Sequence, residues 1–314
     1  MSTSKSSVGV TATSFLKCGQ LVAALKEQLP AAHTLKLASA SASLAGEQLI
    51  DFAKDCDILL VGREVLSPSI ITKLPRLRAV VKYGVGLDNL SLTSLKERGI
   101  EVYCEGGVNA YSVAEQTMGM MIGLTRRLSF NSHLMRSQVW QKDGGVGLKS
   151  RHLVIVGCGA VGSELLPLAL AFGMGVTIVD ILPKPEICSA YGVAQKPLHE
   201  ALRLADVVSL HVPLTPKTRL FMGKEQLSLL KPEAFLINTA RGEIWDLEAV
   251  EMALRQGRLA GAAADVFVEE PFLGQPILEL PEFLATPHTC GNSVEAVRAM
   301  GEAALRGVLA LTGG

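Results

Sequence analysis

The sequence carries no excess of either charge: 30 lysines and arginines balance 30 aspartates and glutamates. That balance argues against a general binder of nucleic acid or of an anionic membrane surface, since both call for a basic field. No apolar run reaches the length of about 18 residues that a membrane helix needs. The opening stretch, Met1 to Gly9, is short and polar with no apolar region behind it, so neither a span nor a signal peptide is expected. The six cysteines, Cys18, Cys56, Cys104, Cys158, Cys188 and Cys290, form no C-x-x-C pair and no Cys/His cluster with zinc spacing. Reduced thiols in a cytoplasmic protein without a metal site are the simple reading. Internal repeats and low-complexity tracts are missing as well. What is present is 314 residues that are 48% apolar, enough for one large or two medium domains with substantial cores.

The chain is organised around His152 to Asp180, HLVIVGCGAVGSELLPLALAFGMGVTIVD. Leu153 to Val156 has strand length and β-branched residues. Gly157, Gly159 and Gly162 then form G-x-G-x-x-G, and an apolar helix runs to about Phe172 with Gly173 able to close it. A second strand, Val176 to Val179, ends on Asp180. The first glycine allows a tight turn, the second lets a pyrophosphate approach the backbone, and the third lets helix and strand pack closely. The helix N-terminus offers free N–H groups to phosphate. Asp180, eighteen residues past Gly162, can accept hydrogen bonds from both ribose hydroxyls and would repel a 2′-phosphate. NAD is therefore the expected cofactor, rather than NADP. No arginine follows closely, and Lys184 reads as a solvated charge. Pro167 falls inside the proposed helix and should kink or shorten it.

Strands alternate with helices along the rest of the chain. Val8 to Thr11, Thr34 to Leu37, Asp57 to Val61, Ala79 to Tyr83 and Glu101 to Tyr103 read as strands, with helices over Phe15 to Gln28 and Leu44 to Phe52. This alternation implies a parallel sheet covered on both faces. Asn109 to Arg127 reads as one helix, with Ser112 as N-cap and Glu115 three residues on. It is almost continuously apolar from Met118 to Leu124, which demands burial. The loose, Gly-rich KDGGVGLK (142–149) reads as a linker into the nucleotide unit. After Asp180, strands over Asp206–Leu210, Ala234–Ile237, Leu259–Ala264 and Leu284–Thr286 each run into polar residues at their carboxyl ends. That edge is where open α/β sheets bind ligands. Val294 to Leu311 is an amphipathic helix able to return to the first domain.

Three residues beyond the nucleotide motif could carry chemistry. Arg241, within N-T-A-R-G, can grip a carboxylate through two parallel hydrogen bonds. Taken alone, an arginine at a strand end is more often a surface or ion-pair residue. His288 follows Thr-Pro, and imidazole is the side chain best matched to moving a proton near neutral pH. A lone histidine is nonetheless more often structural or exposed. Glu270, in Glu269-Glu270-Pro271, could hydrogen-bond that histidine and favour its charged form. His211 ends a strand on the cofactor edge and is a candidate lining residue. His33, His133, His152 and His199 take the structural reading.

These segments resemble the D-isomer-specific 2-hydroxyacid dehydrogenase family, in particular its phosphoglycerate dehydrogenase and glyoxylate/hydroxypyruvate reductase branches. The matching stretches are VKYGVGLDN (81–89), VNAYSVAEQTMGMMIGLTRRL (108–128), VGCGAVG (156–162), ADVVSLHVPLTPKTR (205–219), LINTARGEIWD (236–246), LAGAAADVFVEEP (259–271) and ATPH (285–288). The resemblance implies an α/β fold of two doubly wound parallel-sheet domains. A Rossmann NAD-binding domain (107–289) would be inserted into a flavodoxin-like substrate domain (1–106 and 290–314). It implies NAD-dependent transfer of hydride at C2 of a D-2-hydroxy acid or 2-keto acid, 3-phosphoglycerate among the candidates. The alternatives are a glyoxylate/hydroxypyruvate reductase or an NAD-sensing, corepressor-like binding protein.

The resemblance also assigns roles. Arg241 would orient the substrate, His288 would be the general acid/base and Glu270 its partner. Gly157, Gly159, Ala160, Val161 and Gly162 would hold the pyrophosphate and Asp180 the adenosine ribose. His211, Val212, Pro213, Thr218, Thr239, Ala240 and Asp265 would line the cofactor. From the first domain, Lys82, Val85 and Gly86 would meet the substrate. The expected assembly is a homodimer through the NAD-binding domain. The pattern departs at Lys82, where many relatives carry arginine; near Gly106, where proline is common; and in the run His288-Thr-Cys-Gly-Asn292, where a glycine pair is common. Lysine keeps the charge of arginine but loses its bidentate fork, so Lys82 either meets a phosphate or is a surface charge of its domain.

Overall fold

The computed structural model describes residues 6–313. The chain divides into two compact units, Met1–Asn109 with Asn292–Gly314, and Ala110–Gly291.

The first unit is built on β1 (Ser6–Val10), β2 (His33–Leu37), β3 (Ile58–Val61), β4 (Ala79–Lys82) and β5 (Glu101–Tyr103). All pairings are parallel, in the order β2-β1-β3-β4-β5, which is the flavodoxin-like winding. The two-residue period of a strand divides its side chains between two cores. Ile58, Leu60, Ala79 and Val81 face a cluster with Phe15, Leu25 and Ala304. Leu59, Val61 and Val80 face the opposite cluster, with Leu49, Ile71, Leu74 and Leu95. The apolar runs Ile58–Val61 in β3 and Ala79–Val81 in β4 follow from burial on both faces. The helix Val294–Thr312 belongs to this unit, and the Tyr83 hydroxyl donates to the Val297 carbonyl at 3.1 Å. The helix expected over Phe15 to Gln28 is two helices, Thr13–Lys17 and Gly19–Gln28, because Cys18 between them is extended at ψ 93°.

The second unit holds β6 (His152–Val156), β7 (Gly175–Val179), β8 (Ala194–Gln195), β9 (Val207–Leu210), β10 (Phe235–Asn238), β11 (Gly261–Ala264) and β12 (Phe283–Ala285). They are parallel in the order β12-β11-β10-β9-β6-β7-β8. From β8 to β11 this is the 3-2-1-4-5-6 winding of a Rossmann domain, with β12 as a seventh strand; the order reverses between β6 and β9. Val154, Val156, Leu236 and Ala262 face one core, while Leu153, Ile155, Ile237 and Ala263 face the other.

Several expectations change here. The apolar helix spans Ala110–Thr125, so Ser112 lies inside its first turn rather than at its N-cap; its hydroxyl donates to the Cys290 carbonyl at 2.7 Å. The KDGGVGLK stretch does not lie between the units but folds onto the end of this helix. There the Val146 N–H meets the Thr125 carbonyl at 2.8 Å and Arg126 Nε donates to the Gly144 carbonyl at 2.8 Å. Pro167 does not shorten its helix, which runs Ala160–Ala171 and closes through Gly173 at φ +73°. Closing contacts at the C-terminal end and packing of Leu165, Leu166 and Ala169 offset the hydrogen bond that proline cannot make.

Candidate active site

In-register pairing aligns the carboxyl ends of six strands in the second unit. Val179, Val156, Leu210, Asn238, Ala264 and Ala285 are mutually paired neighbours across β7, β6, β9, β10, β11 and β12. At a strand spacing of about 4.8 Å the row is roughly 24 Å long. One residue further on stand Asp180, Gly157, His211, Thr239, Asp265 and Thr286. Sequence-distant candidates therefore share one edge because the register is uniform.

The glycine turn fits a dinucleotide. Gly157 has φ +94°, and a Cβ there would lie 2.7 Å from the His211 carbonyl oxygen. A Cβ on Gly162 would overlap the Gly157 carbonyl, so helix and turn are in backbone contact. A Cβ on Gly159 would meet nothing within 4 Å. That glycine is not required by the protein's own packing; its bare face is open to a ligand. The helix that starts at Ala160 has no side-chain cap, which leaves its first N–H groups to a phosphate. Asp180 accepts from the Cys158 N–H and the Leu182 N–H, each at 2.9 Å, so the carboxylate also ties the glycine turn to the end of β7. Lys184 is not simply solvated: its Nζ lies 3.8 Å from Asp180 Oδ2.

Further along the edge, His211 Nε2 and Ser209 Oγ are 2.8 Å apart, and burial pushes this imidazole down to about 3, so it is neutral at any working pH. The Thr218 hydroxyl is used within its own loop, donating to the Pro213 carbonyl at 2.6 Å. Val212 and Ala240 pack against the core beneath, and Pro213 is exposed. The Arg241 turn is shaped by buried Asn238, whose side chain accepts from Ala240 N–H at 3.1 Å and donates to the Arg241 carbonyl at 2.8 Å. Arg241 Nη1 donates to the Ala240 carbonyl at 2.6 Å.

Glu270 and His288 meet. His288 Nδ1 lies 2.9 and 3.0 Å from the two carboxylate oxygens, which assigns the Nδ1 proton to this bond and puts Nε2 on the other edge of the ring. His288 sits at φ +56°, a left-handed conformation that costs a non-glycine residue about 1–3 kcal/mol. Asp265 sustains it. Its carboxylate, 1% exposed, accepts from Thr286 Oγ1 at 2.5 Å, Thr289 N–H at 2.8 Å and Cys290 N–H at 2.9 Å. Its carbonyl accepts from the His288 N–H at 2.8 Å. Burial, reinforced by the Asp265 carboxylate, raises the Cys290 thiol far above its ordinary range.

The helix Ala110–Thr125 braces both turns. Thr117 and Thr239 hydroxyls are 3.1 Å apart, and Gln116 Nε2 donates to Thr286 and Thr289 Oγ1 at 3.3 and 3.2 Å. Asn238, Gln116 and Thr117 escaped the sequence reading. The signal available was polar side chains inside apolar runs, each of which needs a buried partner.

In the first unit, Val85 and Gly86 are half-exposed on the loop after β4. Lys82 is not a surface charge. It is buried and donates to the Gly62 carbonyl and to Asn89 Oδ1, the latter at 2.8 Å. Asn89 in turn donates to the Glu64 carbonyl at 2.6 Å, and the buried Glu64 carboxylate accepts from Gly62 N–H at 2.6 Å. The turns after β3 and β4 are thus cross-linked.

Residues 118–290 match the family model described as D-isomer specific 2-hydroxyacid dehydrogenase, NAD binding domain. The chain belongs to this family. It is 35% identical over 82% of its length to a D-3-phosphoglycerate dehydrogenase of Methanocaldococcus jannaschii, of which it spans half. A glyoxylate reductase of Thermococcus litoralis is 32% identical over 85% of this chain and 83% of that protein. The crystal structure of a D-lactate dehydrogenase from Aquifex aeolicus, complexed with NAD and lactic acid, superposes with a TM-score of 0.86 at 26% identity, covering 98% of this chain and 96% of that one. The Rossmann unit is accordingly the family's NAD-binding domain. Among the described residues no helix is long and apolar enough to cross a membrane, and no cluster of three metal-ligating side chains occurs.

Proposed function

We propose that the chain catalyses reversible, NAD-dependent interconversion of a D-2-hydroxy acid and its 2-keto acid, with Arg241, Glu270 and His288 as the reacting set. The observation that carries this reading is the His288–Glu270 pair on the same sheet edge as the glycine turn and Arg241. The nicotinamide, when bound, exchanges hydride with C2. The protein's residues do the rest. In reduction, His288 donates a proton from Nε2 to the ketone oxygen while its Nδ1–H stays on Glu270; in oxidation, Nε2 takes the hydroxyl proton. The Arg241 guanidinium fixes the carboxylate and stabilises charge on the oxygen. In the first unit, the backbone N–H groups of Val85 and Gly86 are candidates for substrate contact. Gly157 to Gly162, Asp180, and the row from His211 to Asp265 hold NAD.

Lys82 spends donors on Gly62 and Asn89 inside its own unit. That favours a short acid such as glyoxylate or hydroxypyruvate over 3-phosphoglycerate. The decisive experiment follows NADH absorbance with a panel of 2-keto acids and compares the parent with His288→Ala. A fall of about 10²–10⁴ in kcat/KM is expected; ordinary turnover by the variant refutes the assignment.

A homodimer through the NAD-binding domain is part of the same reading. The helix Leu128–Arg136 buries none of its residues, and Leu128, Met135, Val139 and Trp140 are exposed, Trp140 at 77%. Such a run is suited to a second copy of itself. All six cysteines are unpaired, which supports a cytoplasmic setting. Light scattering of Trp140→Asp should report a monomer.

A further inference from the structure

Glu270 and His288 are both partly open to water, their side chains 34% and 41% exposed. A hydrogen-bonded pair this exposed is weak by itself, because solvent competes for both partners. A proton-transferring group has to be held to within fractions of an ångström. Something other than the pair must supply that restraint.

The loop that carries Glu270 is closed by two aromatic rings. Phe267 and Phe272 stack with centroids 4.1 Å apart and planes 5° from parallel. The four residues between them, Val268 to Pro271, include Glu270. Both rings rest on the core cluster of the NAD-binding unit. The backbone N–H of Phe267 donates to Glu270 Oε1 at 3.2 Å, so the residue that supplies one ring also holds the carboxylate. On the other side a Cβ at Gly242 would overlap the backbone of Phe267 and Val268, so the turn that bears Arg241 lies directly against the start of this loop. The chain of contact runs from Phe272 to Phe267, from the Phe267 amide to Glu270, and from Glu270 to His288.

We propose that Phe272, through its stack on Phe267, is a positioning residue for the Glu270–His288 pair. The inference rests on the reading of His288 as the proton-transferring group. The stack closes the loop that carries Glu270, so it governs turnover rather than cofactor affinity. Ordinary core packing would make a different pattern: Phe272 would contribute to stability alone, equally with or without Glu270.

The experiment measures kcat, KM for the keto acid and Kd for NADH in Phe272→Leu, Phe272→Tyr, Glu270→Gln, the double variant Phe272→Leu/Glu270→Gln, and His288→Asn. Leucine keeps the apolar contact and removes the stack; tyrosine keeps the ring, and its hydroxyl can reach water because Phe272 is only partly buried. Phe272→Leu should lower kcat about tenfold with Kd for NADH unchanged, and Phe272→Tyr should restore it. In the Glu270→Gln background the same leucine substitution should cost little, because the group it positions is already gone. A parent-like kcat in Phe272→Leu, or an equal loss in both backgrounds, overturns the proposal while leaving the role of His288 intact. Parent-like turnover by His288→Asn overturns the role of His288 and the proposal with it.

Discussion

Asp265→Ala removes one carboxylate and strands three donors. The carboxylate is 1% exposed and accepts from Thr286 Oγ1, Thr289 N–H and Cys290 N–H. Hydrogen bonds to a charged acceptor contribute about 1.5–3 kcal/mol each, and a buried donor left unpaired costs about 1–3 kcal/mol. These do not simply add. The desolvation penalty of a buried carboxylate disappears with it, and water can enter the vacated space, so a net loss of about 3–5 kcal/mol is expected. For a unit of this size, about 2–4 °C per kcal/mol puts the Tm roughly 6–20 °C lower. Activity should fall further than stability implies. His288 occupies its left-handed conformation at φ +56° because the turn around it is stitched to Asp265. Released, it relaxes to an ordinary backbone and its ring leaves Glu270. Asp265→Asn should be intermediate, since the amide keeps one acceptor but turns an NH₂ toward a donor. Circular-dichroism melts and NADH oxidation, measured at a temperature where every variant is folded, provide the check. An alanine variant that melts within about 2 °C of the parent would show that these bonds carry no net stability.

The glycine turn separates ligand space from packing: Gly159→Ala should leave Tm unchanged and weaken NADH binding, whereas Gly162→Ala should destabilise the fold through its overlap with the Gly157 carbonyl. Titration of NADH fluorescence beside thermal melts distinguishes the two, and equal behaviour of both variants would contradict the assignment. Asp180→Ser should narrow the preference for NADH over NADPH, read as a ratio of Kd values; an unchanged ratio would remove Asp180 from cofactor discrimination. Burial alone would raise the carboxyl of Asp57, but the Ser7 N–H and the Arg76 guanidinium outweigh it and hold it below the usual range; Asp206 is held down in the same way by Lys231 and the His152 N–H. Both folded values lie below the unfolded one, so their contribution is full above about pH 4 and is lost as pH falls through the folded values. Melting curves of Asp57→Asn and Asp206→Asn against pH should show a gap from the parent that closes on acidification, and a constant gap would refute the linkage.

Much of the fold was legible in local order. Strand-length apolar runs alternating with helices, the three glycines and Asp180 all follow from short-range rules, and β5 falls where it was read. Features that depend on a distant partner were not legible. Ser112 reads as a cap until Cys290 is beside it, nothing near Asp265 in the chain shows that it holds the His288 turn, and nothing near Lys82 shows that Gly62 and Asn89 receive its ammonium group.

The sequence by itself therefore determined the parallel α/β architecture, the family and the dinucleotide motif, because periodicity, turn chemistry and spacing are properties of neighbouring residues. Only the tertiary structure decided that Glu270 and His288, eighteen positions apart, share a hydrogen bond, and which buried groups hold them there. Hydrogen bonds between strand-end loops depend on sheet order and register, and those are set by the packing of the whole unit rather than by any one stretch.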